Sequence, residues 1–382
     1  MEAPLNISAV KTPGYDPEAL AAAVARHFAA LEADALFAPG VRVALKPNLL
    51  MKRPPEGGTT THPALVTAVA SHLRSLGVTD ITIADSPGGP YTASALEGIY
   101  AVCGMADSAA RTGAALNRDT GWQAVASPSP GSLCGTFNIL NPLLEADVVI
   151  NLPKLKTHAM TTLSGGVKNL LGCVPGLQKP ELHFRFPQRD LFGRMLVELA
   201  ETVAPQLTII DAVVAMEGDG PSAGTLRELG WTFASRSPFA LDEILCRVMG
   251  LDPLTVPTVA YARKRGLAAP DALTVTGDGL PRDVPPFALP LSRSVTFRDS
   301  LPGPLRGLAD LAGSRLLSPR PVVSREGCTG CGRCTESCPA HVIAVTGRKA
   351  VIEYKDCIKC YCCHEMCPVK AIHIRKARLL EH

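Results

Sequence analysis

The chain reads as an α/β protein: a mostly parallel sheet with helices on both faces, followed by a small α+β domain organised by cysteines. Three observations predict this. Short apolar runs alternate with amphipathic stretches of helical length through residues 1–277. The runs end in polar or charged residues, as strands do where a parallel sheet opens its ligand crevice. Nine of the thirteen cysteines fall between Cys328 and Cys367.

VRVALKPN (41–48) is strand-like and ends in Lys46 and Asn48. Thr61-His62-Pro63 then opens an amphipathic helix, ALVTAVASHLRSLG, with proline in the first turn. DITIADS (80–86) is a second strand, ending in Asp85 and Ser86, with PGGP and a helix around 92–103 behind it. ADVVIN (146–151) is a third, ending in Asn151, and QLTIIDAVVAM (206–216) a fourth, preceded by a helix over 190–203. Polar residues thus gather at four strand ends, which suggests a shared pocket. Residues 278–323, with PRDVPPFALP and LSPRPVV, read as a linker to a final domain over 324–382.

Composition narrows the function classes. The chain has 382 residues, 46% hydrophobic and 19% charged, an ordinary folded composition. A net charge of +3 and the lack of a basic helix argue against nucleic acid. No run of 18 apolar residues exists, so membrane insertion is not expected. The opening MEAPLNISAVKTPG lacks the basic-then-apolar layout of an export signal, and a cytoplasmic location is expected. Clustered cysteines in such a chain point to metal rather than disulfides.

Two segments repeat at a displacement of 29 residues: CTGCGRCTESCP from Cys328 and CIKCYCCHEMCP from Cys357. Each is C-x2-C-x2-C-x3-C-P, the pattern of bacterial two-cluster ferredoxins, in which the fourth cysteine of each run ligates the other cluster. One [4Fe–4S] cluster is therefore expected on Cys328, Cys331, Cys334 and Cys367, and a second on Cys357, Cys360, Cys363 and Cys338. Between the runs, VIAV-TGRK-AVIEY reads as two strands around a glycine turn. Cys-x2-Cys pairs also build zinc knuckles, but three evenly spaced cysteines and a Cys-Pro, twice over, favour iron and sulfide. Cys362 breaks the spacing and reads as a bystander.

The other chemical signal is NLPKLKTHAMTTLSGGVKNLLG (151–172). Residues 151–189 carry six lysines and arginines against one acid, Glu181. If the strand continues, alternation puts Lys154, Lys156 and His158 on one side, an arrangement suited to a phosphate or carboxylate. SGGVKN, with Lys168 and Asn169, looks like a helix start whose backbone N–H groups can accept an anion, though not through P-loop spacing. The alternative is a solvated basic loop with glycines as turn residues. His62 suits a helix start or a ligand contact, His183 a packed ring, and Glu217-Gly-Asp-Gly-Pro a turn.

LKPN, IADS, NLPKLKTHAMTTLSGGVKNLLG, DAVVAMEGDGPSAG and ALDEILCRVMG resemble, in that order, the domain-of-unknown-function 362 (DUF362) family. The likeness spans roughly residues 5–280 and the cysteine tail. It implies an iron–sulfur protein, usually of anaerobic settings, whose core is similar to the amino-terminal part of lactate-racemase-type enzymes. Three functions fit these residues. In a ferredoxin-coupled oxidoreductase, Lys46, Asn48, Asp85, Ser86, Asn151, Lys168 and Asn169 hold an anionic small molecule. Lys154 and Lys156 neutralise its charge, and His158 supplies a proton. In an electron carrier or adaptor the α/β domain docks a redox partner protein, and in a delivery factor spare thiols pass on a cluster.

Overall fold

The computed structural model describes residues 5–293 and 319–375. Strand β1 (Leu5–Lys11) is followed by β2 (Arg42–Pro47), β3 (Asp80–Ile83), β4 (Ala115–Leu116) and a separate hairpin of β5 (Trp122–Ala126) and β6 (Thr136–Leu140). Then come β7 (Val148–Leu152), β8 (Lys154–His158), β9 (Thr162–Ser164), β10 (Leu207–Glu217), β11 (Thr225–Ser235) and β12 (Leu273–Gly277). Apart from β5 and β6 they form one ten-stranded sheet, ordered β12-β1-β11-β10-β7-β2-β3-β4, with β8 beside β10 and β9 beside β8. Six of its ladders are parallel and three antiparallel, so the sheet is mixed but mostly parallel.

Strand alternation explains the two helical layers. Val43, Leu45, Ile81, Ile83, Val148 and Ile150 pack on helices Pro17–Ala30, Pro63–Ser75 and Ala93–Val102. Ala44, Ala84 and Val149, next to them in sequence, face the other way onto Arg189–Val203. A third cluster joins Ile7 and Ile210 to Pro238–Met249. Fully buried Leu20, Phe28 and Leu65 each contribute about 1.5–3 kcal/mol by leaving water. The four expected strands are all present, with ends displaced by up to three residues. The antiparallel partners β1 and β11 are additions to the expected set.

The cysteine unit is small. β13 (Arg320–Val323) pairs antiparallel with β16 (Ile372–Arg375), and β14 (Ile343–Thr346) with β15 (Lys349–Ile352). The expected turn joins β14 to β15 through Gly347 and Arg348, both with left-handed φ, +57° and +59°. The proposed linker divides. Residues 278–293 lie on the α/β body, where Asp278 pairs with Arg26 at 2.6 Å and Phe287 is buried. Residues 294–318 lie outside the described residues, and Arg320–Val323 belongs to the cysteine unit. No described helix is long and apolar enough to cross a membrane.

Candidate functional site

β8 leaves β7 after Pro153 and runs along β10 with a pronounced irregularity: Asp211 faces Lys154, but Met216 faces Lys156. β10 thus advances five residues while β8 advances two, and simple alternation fails. Lys154 is drawn away from the other candidates. Its Nζ donates to Tyr15 Oη at 2.6 Å and to Asp211 Oδ2 at 3.0 Å. Tyr15 Oη donates to Asp211 Oδ1, and the backbone N–H of His62 to Asp211 Oδ2. The His62 ring stacks on Tyr15 and caps the helix Pro63–Ser75 by accepting from Ala64 N. This is a buried, self-satisfied network, and the expected catalytic placement of Lys154 beside Lys156 and His158 is corrected by it.

Lys156 and His158 line a cavity of about 80 Å³ together with Asn48, Asp85, Ser86, Lys168 and Asn169. Its far wall comes from the cysteine unit: Cys362, Glu365 and Met366. That wall is held by the Glu217–Pro221 turn and its surroundings. Ser222 Oγ donates to Glu365 O at 2.8 Å, His364 Nε2 lies 3.2 Å from Asp219 O, and Arg53 donates to Ser222 O and Cys367 O. The turn is therefore a docking element. Lys179 and His183 also line the cavity. His183 packs its ring on Phe192, as expected of it, while one edge reaches the cavity.

Buried cations dominate the electrostatics of the cavity. Lys156 donates to Asn48 Oδ1 (2.9 Å) and Thr59 O (2.7 Å), and Lys179 to Ser86 Oγ (2.7 Å) and Pro87 O (3.0 Å). Burial pulls both ammonium groups down to about 7, helped for Lys156 by neighbouring Lys168 and Lys154 and for Lys179 by Lys46. Lys168 Nζ makes no hydrogen bond or ion pair with any described residue, and burial lowers its pKa while Glu365 resists. The Asp85 carboxylate is matched by Lys46 at 2.7 Å and by Leu49 N–H at 2.6 Å. Three lysines therefore face the cavity with two carboxylates, Asp85 paired with Lys46 and Glu365 beside His158.

His158 is fixed in one role. Its Nδ1 accepts the N–H groups of Met160 and Thr161, so the ring proton sits on Nε2, 3.1 Å from Glu365 Oε1. Burial pushes its pKa down to about 4 against the pull of Glu365. Burial alone would raise Glu365, yet His158, Lys168 and His183 hold its carboxylate well below the usual range. The neutral ring keeps a single proton, on Nε2 facing Glu365, and a neutral imidazole N–H is far too weak an acid to supply it near neutrality. The expectation of His158 as proton donor is corrected on that ground.

Two further candidates, Lys46 and Asn151, support the site from behind. Lys46 holds Asp85 and Pro47 O. Asn151 donates to Gly166 O and accepts from Asn169 Nδ2 at 2.8 Å; Asn169 Oδ1 in turn accepts from Asn48 at 2.9 Å. The helix start at Gly166–Asn169 does not offer its N–H groups to a ligand. Gly166 N and Val167 N donate to the buried Asp242 carboxylate at 2.6 and 3.1 Å. Burial raises Asp242 to about 7 despite these bonds.

In the cysteine unit, Cys328, Cys331, Cys334 and Cys367 surround one small cavity, and Cys338, Cys357, Cys360 and Cys363 another. The crossing of Cys338 and Cys367 between the sets is the arrangement expected from the spacing. All thirteen cysteines are free of disulfides. Among the described residues no three His, Cys, Asp or Glu converge as a single metal ion requires. Four cysteines around each cavity, in the C-x2-C-x2-C-x3-C-P spacing, match the ligand set of a [4Fe–4S] cluster. Backbone N–H groups of Ala350 and Ala371 point at the sulfurs of Cys328 and Cys367, 3.3 and 3.1 Å away. Such N–H···S contacts stabilise thiolate ligands. Cys331 is exposed, whereas Cys360 and Cys363 are buried. Cys362, the apparent bystander, lines the cavity of Lys156 and Lys168.

Comparison with known proteins agrees with this division. The model of the domain of unknown function DUF362 matches residues 43–247, and that of a 4Fe-4S dicluster domain matches residues 320–368. The thylakoid-associated protein sll1697 of Synechocystis sp. is 35% identical over 310 residues, 77% of this chain and 94% of that protein. The lactate racemase apoprotein of Thermoanaerobacterium thermosaccharolyticum aligns at 15% identity over 66% of this chain and 58% of its own, with a TM-score of 0.41, too low to carry a functional argument. With its sheet and more than half its length matched, the chain belongs to the DUF362 family and is an iron–sulfur protein whose residues 320–368 match a 4Fe-4S dicluster domain.

Proposed function

We propose that the protein is an oxidoreductase carrying two [4Fe–4S] clusters that reduces or oxidises a small anionic molecule held between its two units. One observation carries this reading: the cavity has lysines of the α/β body on one side and Cys362 and Glu365, neighbours of the cysteine quartets, on the other. The first cluster would be held by Cys328, Cys331, Cys334 and Cys367, and the second by Cys338, Cys357, Cys360 and Cys363. Such clusters supply electrons singly. Exposed Cys331 marks the side open to a redox partner protein, and the second quartet, buried but for half-buried Cys357, borders the cavity through Cys362. Lys168 binds the anion, Asn48 orients it with Asn169 fixing the Asn48 amide from behind, and the wall of Cys362, Glu365 and Met366 limits water. Lys156 titrates near neutrality and is the group that exchanges a proton with the ligand.

The carrier reading treats the α/β body as a docking module and leaves the buried lysines without a task. We place the protein in the cytoplasm. The name of the Synechocystis relative ties that protein to thylakoids, and a membrane-bound partner would give the same association here. The test is native mass spectrometry of anaerobically purified protein, wild type beside Lys156→Ala/Lys168→Ala. The expected result is two clusters in both and a further small mass in the wild type alone. Clusters only, with no anion retained or bound on titration in either protein, would sink the enzyme reading in favour of the carrier.

A further inference from the structure

Of the eight quartet cysteines, Cys331 alone is exposed. It stands between Gly330 and Gly332, both with left-handed φ, +70° and +78°, and a Cβ on Gly332 would meet nothing within 4 Å. Its immediate neighbours therefore put no side chain over the sulfur. Pro368 and Val369 line the same small cavity, and Val369 is 46% exposed. Cations surround this apolar spot. The Gly347–Arg348 turn packs on Gly330, where a Cβ would collide with Arg348 O. Lys349 Nζ donates to Cys328 O at 2.7 Å, and Arg53 reaches from the α/β body to Cys367 O and Pro368 O at 3.4 and 3.3 Å. Exposed Lys370 follows Val369, whereas Arg333 is already paired with Glu336 at 3.2 Å. Residues 319–375 hold nine lysines and arginines against five acids. Of the other acids, Glu365 faces the lysine cavity and Glu353 and Asp356 lead into Cys357 of the second quartet. Glu326, two residues before Cys328, is the one that remains within the unit.

We propose that this face is the docking site of a small acidic electron-carrier protein, whose carboxylates meet Arg348 and Lys370 and whose redox centre comes to rest over Val369 and the Cys331 loop. This rests on the reading of the first quartet as a cluster site and names the chemistry of the partner. One electron passes from the reduced centre of the carrier to the cluster of Cys328, Cys331, Cys334 and Cys367. The carrier is oxidised by one electron, the cluster is reduced by one, and no atom is exchanged. The charge pattern selects the partner. Opposite charges across an interface speed encounter and fix orientation more than they tighten it, which suits a carrier that must leave after each electron. An apolar centre with charges at its rim is also the usual layout of a protein interface. The two cations project from fixed backbone: Arg348 and Lys370 adopt left-handed φ, +59° and +54°, and Lys370 N donates to Cys367 O at 3.2 Å.

The experiment is calorimetric titration and stopped-flow mixing of the anaerobic, cluster-loaded full chain with two acidic carriers, a [2Fe–2S] ferredoxin and a flavodoxin. At least one should bind, with an association rate that falls about tenfold or more as salt rises from about 10 to about 300 mM and screens these charges. Arg348→Asn/Lys370→Asn uses a residue that tolerates left-handed backbone. It should weaken binding about three- to tenfold at low salt, keep iron and sulfide content level, and converge on the wild type at high salt. The charge-preserving Arg348→Lys/Lys370→Arg should bind as the wild type does. Should the asparagine variant lose iron, the salt profile of the wild type decides the matter. Binding of neither carrier, or binding indifferent to salt or to the loss of both cations, would overturn the proposal and leave the anion reading intact. Capture of phosphatidylglycerol vesicles through the same two residues, in preference to both carriers, would overturn it in favour of a membrane surface. Carrier binding as expected, with no anion bound in the cavity, would uphold this docking face while the oxidoreductase reading fell.

Discussion

Replacing Lys168 by methionine removes the one cavity lysine whose ammonium has no protein partner among the described residues. A hydrogen bond from a charged group to an anion is worth about 1.5–3 kcal/mol, which corresponds to roughly 10- to 150-fold in Kd. The upper part of that range is expected. Without Lys168 the Glu365 carboxylate keeps its place in the wall and repels the ligand; at an effective dielectric of about 20, two charges 4 Å apart interact by about 4 kcal/mol. The fold should not suffer, because burial already disfavours the charged form of Lys168 and methionine fills similar space. The assay is acetate titration at pH 6.5 under anaerobic conditions, with iron and sulfide content and thermal unfolding measured on the same samples. Kd should rise at least tenfold, iron content should stay level, and the unfolding midpoint should hold or rise. A Kd within threefold of wild type, with clusters intact, would refute Lys168 as the anion contact.

Three other outcomes are expected. Lys156 and Lys179 sit at about 7 without a ligand, and an anion favours their charged forms, so binding takes up protons and affinity falls as pH rises from 7 towards 9. Titrations in buffers of different ionisation enthalpy check this, and a flat profile from pH 6.5 to 9 would contradict it. Asp242→Ala strands the buried N–H groups of Gly166 and Val167 and should cost about 2–6 kcal/mol in urea unfolding, while Asp242→Asn, which keeps one acceptor, should cost about half as much. Gly172→Ala would place a Cβ 2.0 Å from Asp85 Oδ1 and 2.6 Å from Lys46 Nζ. Forcing that buried pair apart should cost about 3–5 kcal/mol, read by thermal unfolding, and a stable variant would show that the loop moves instead.

Much of this fold is visible in the chain because its strands are short, apolar and bounded by turn residues. Val43, Leu45, Val148 and Ile150 alternate with Ala44 and Val149, and the two helical layers follow from that alternation alone. The cysteine quartets were legible for a different reason: a cubane needs three closely spaced thiolates and one from afar, and the spacing records it. What stayed hidden is tertiary. Nothing near Glu365 or Cys362 marks them as walls of a cavity whose other side lies some two hundred residues earlier. Asp242 lies in a helix that looks amphipathic and ordinary, yet it consumes the N–H groups that SGGVKN seemed to hold out for an anion. Lys179 stood in the counted basic run, but only packing shows that it, and not Lys154, faces the cavity.

Lys154 and Lys156 make the sharpest contrast, because the sequence treats them alike. The irregular pairing of β8 with β10 sends Lys154 to Asp211 and Tyr15, where it is about 1% exposed, and Lys156 to the cavity wall. Their removal should therefore have opposite signatures. Lys154→Ala leaves the Asp211 carboxylate buried without its cation, although Tyr15 Oη and His62 N–H still reach it, and about 3–5 kcal/mol of stability should be lost. Adding Asp211→Asn removes the stranded charge and should restore part of that loss, a recovery that truncation of a catalytic lysine would not show. Acetate affinity should be unchanged in both variants wherever they remain folded. Lys156→Ala should weaken acetate binding and alter its pH profile, with a smaller effect on unfolding, since a buried ammonium that titrates near 7 gives the fold little. Should Lys154→Ala instead reduce acetate affinity tenfold at unchanged stability, the bulge would not separate the two lysines in solution, and the simple alternation read from PKLKTH would be the better description of the strand.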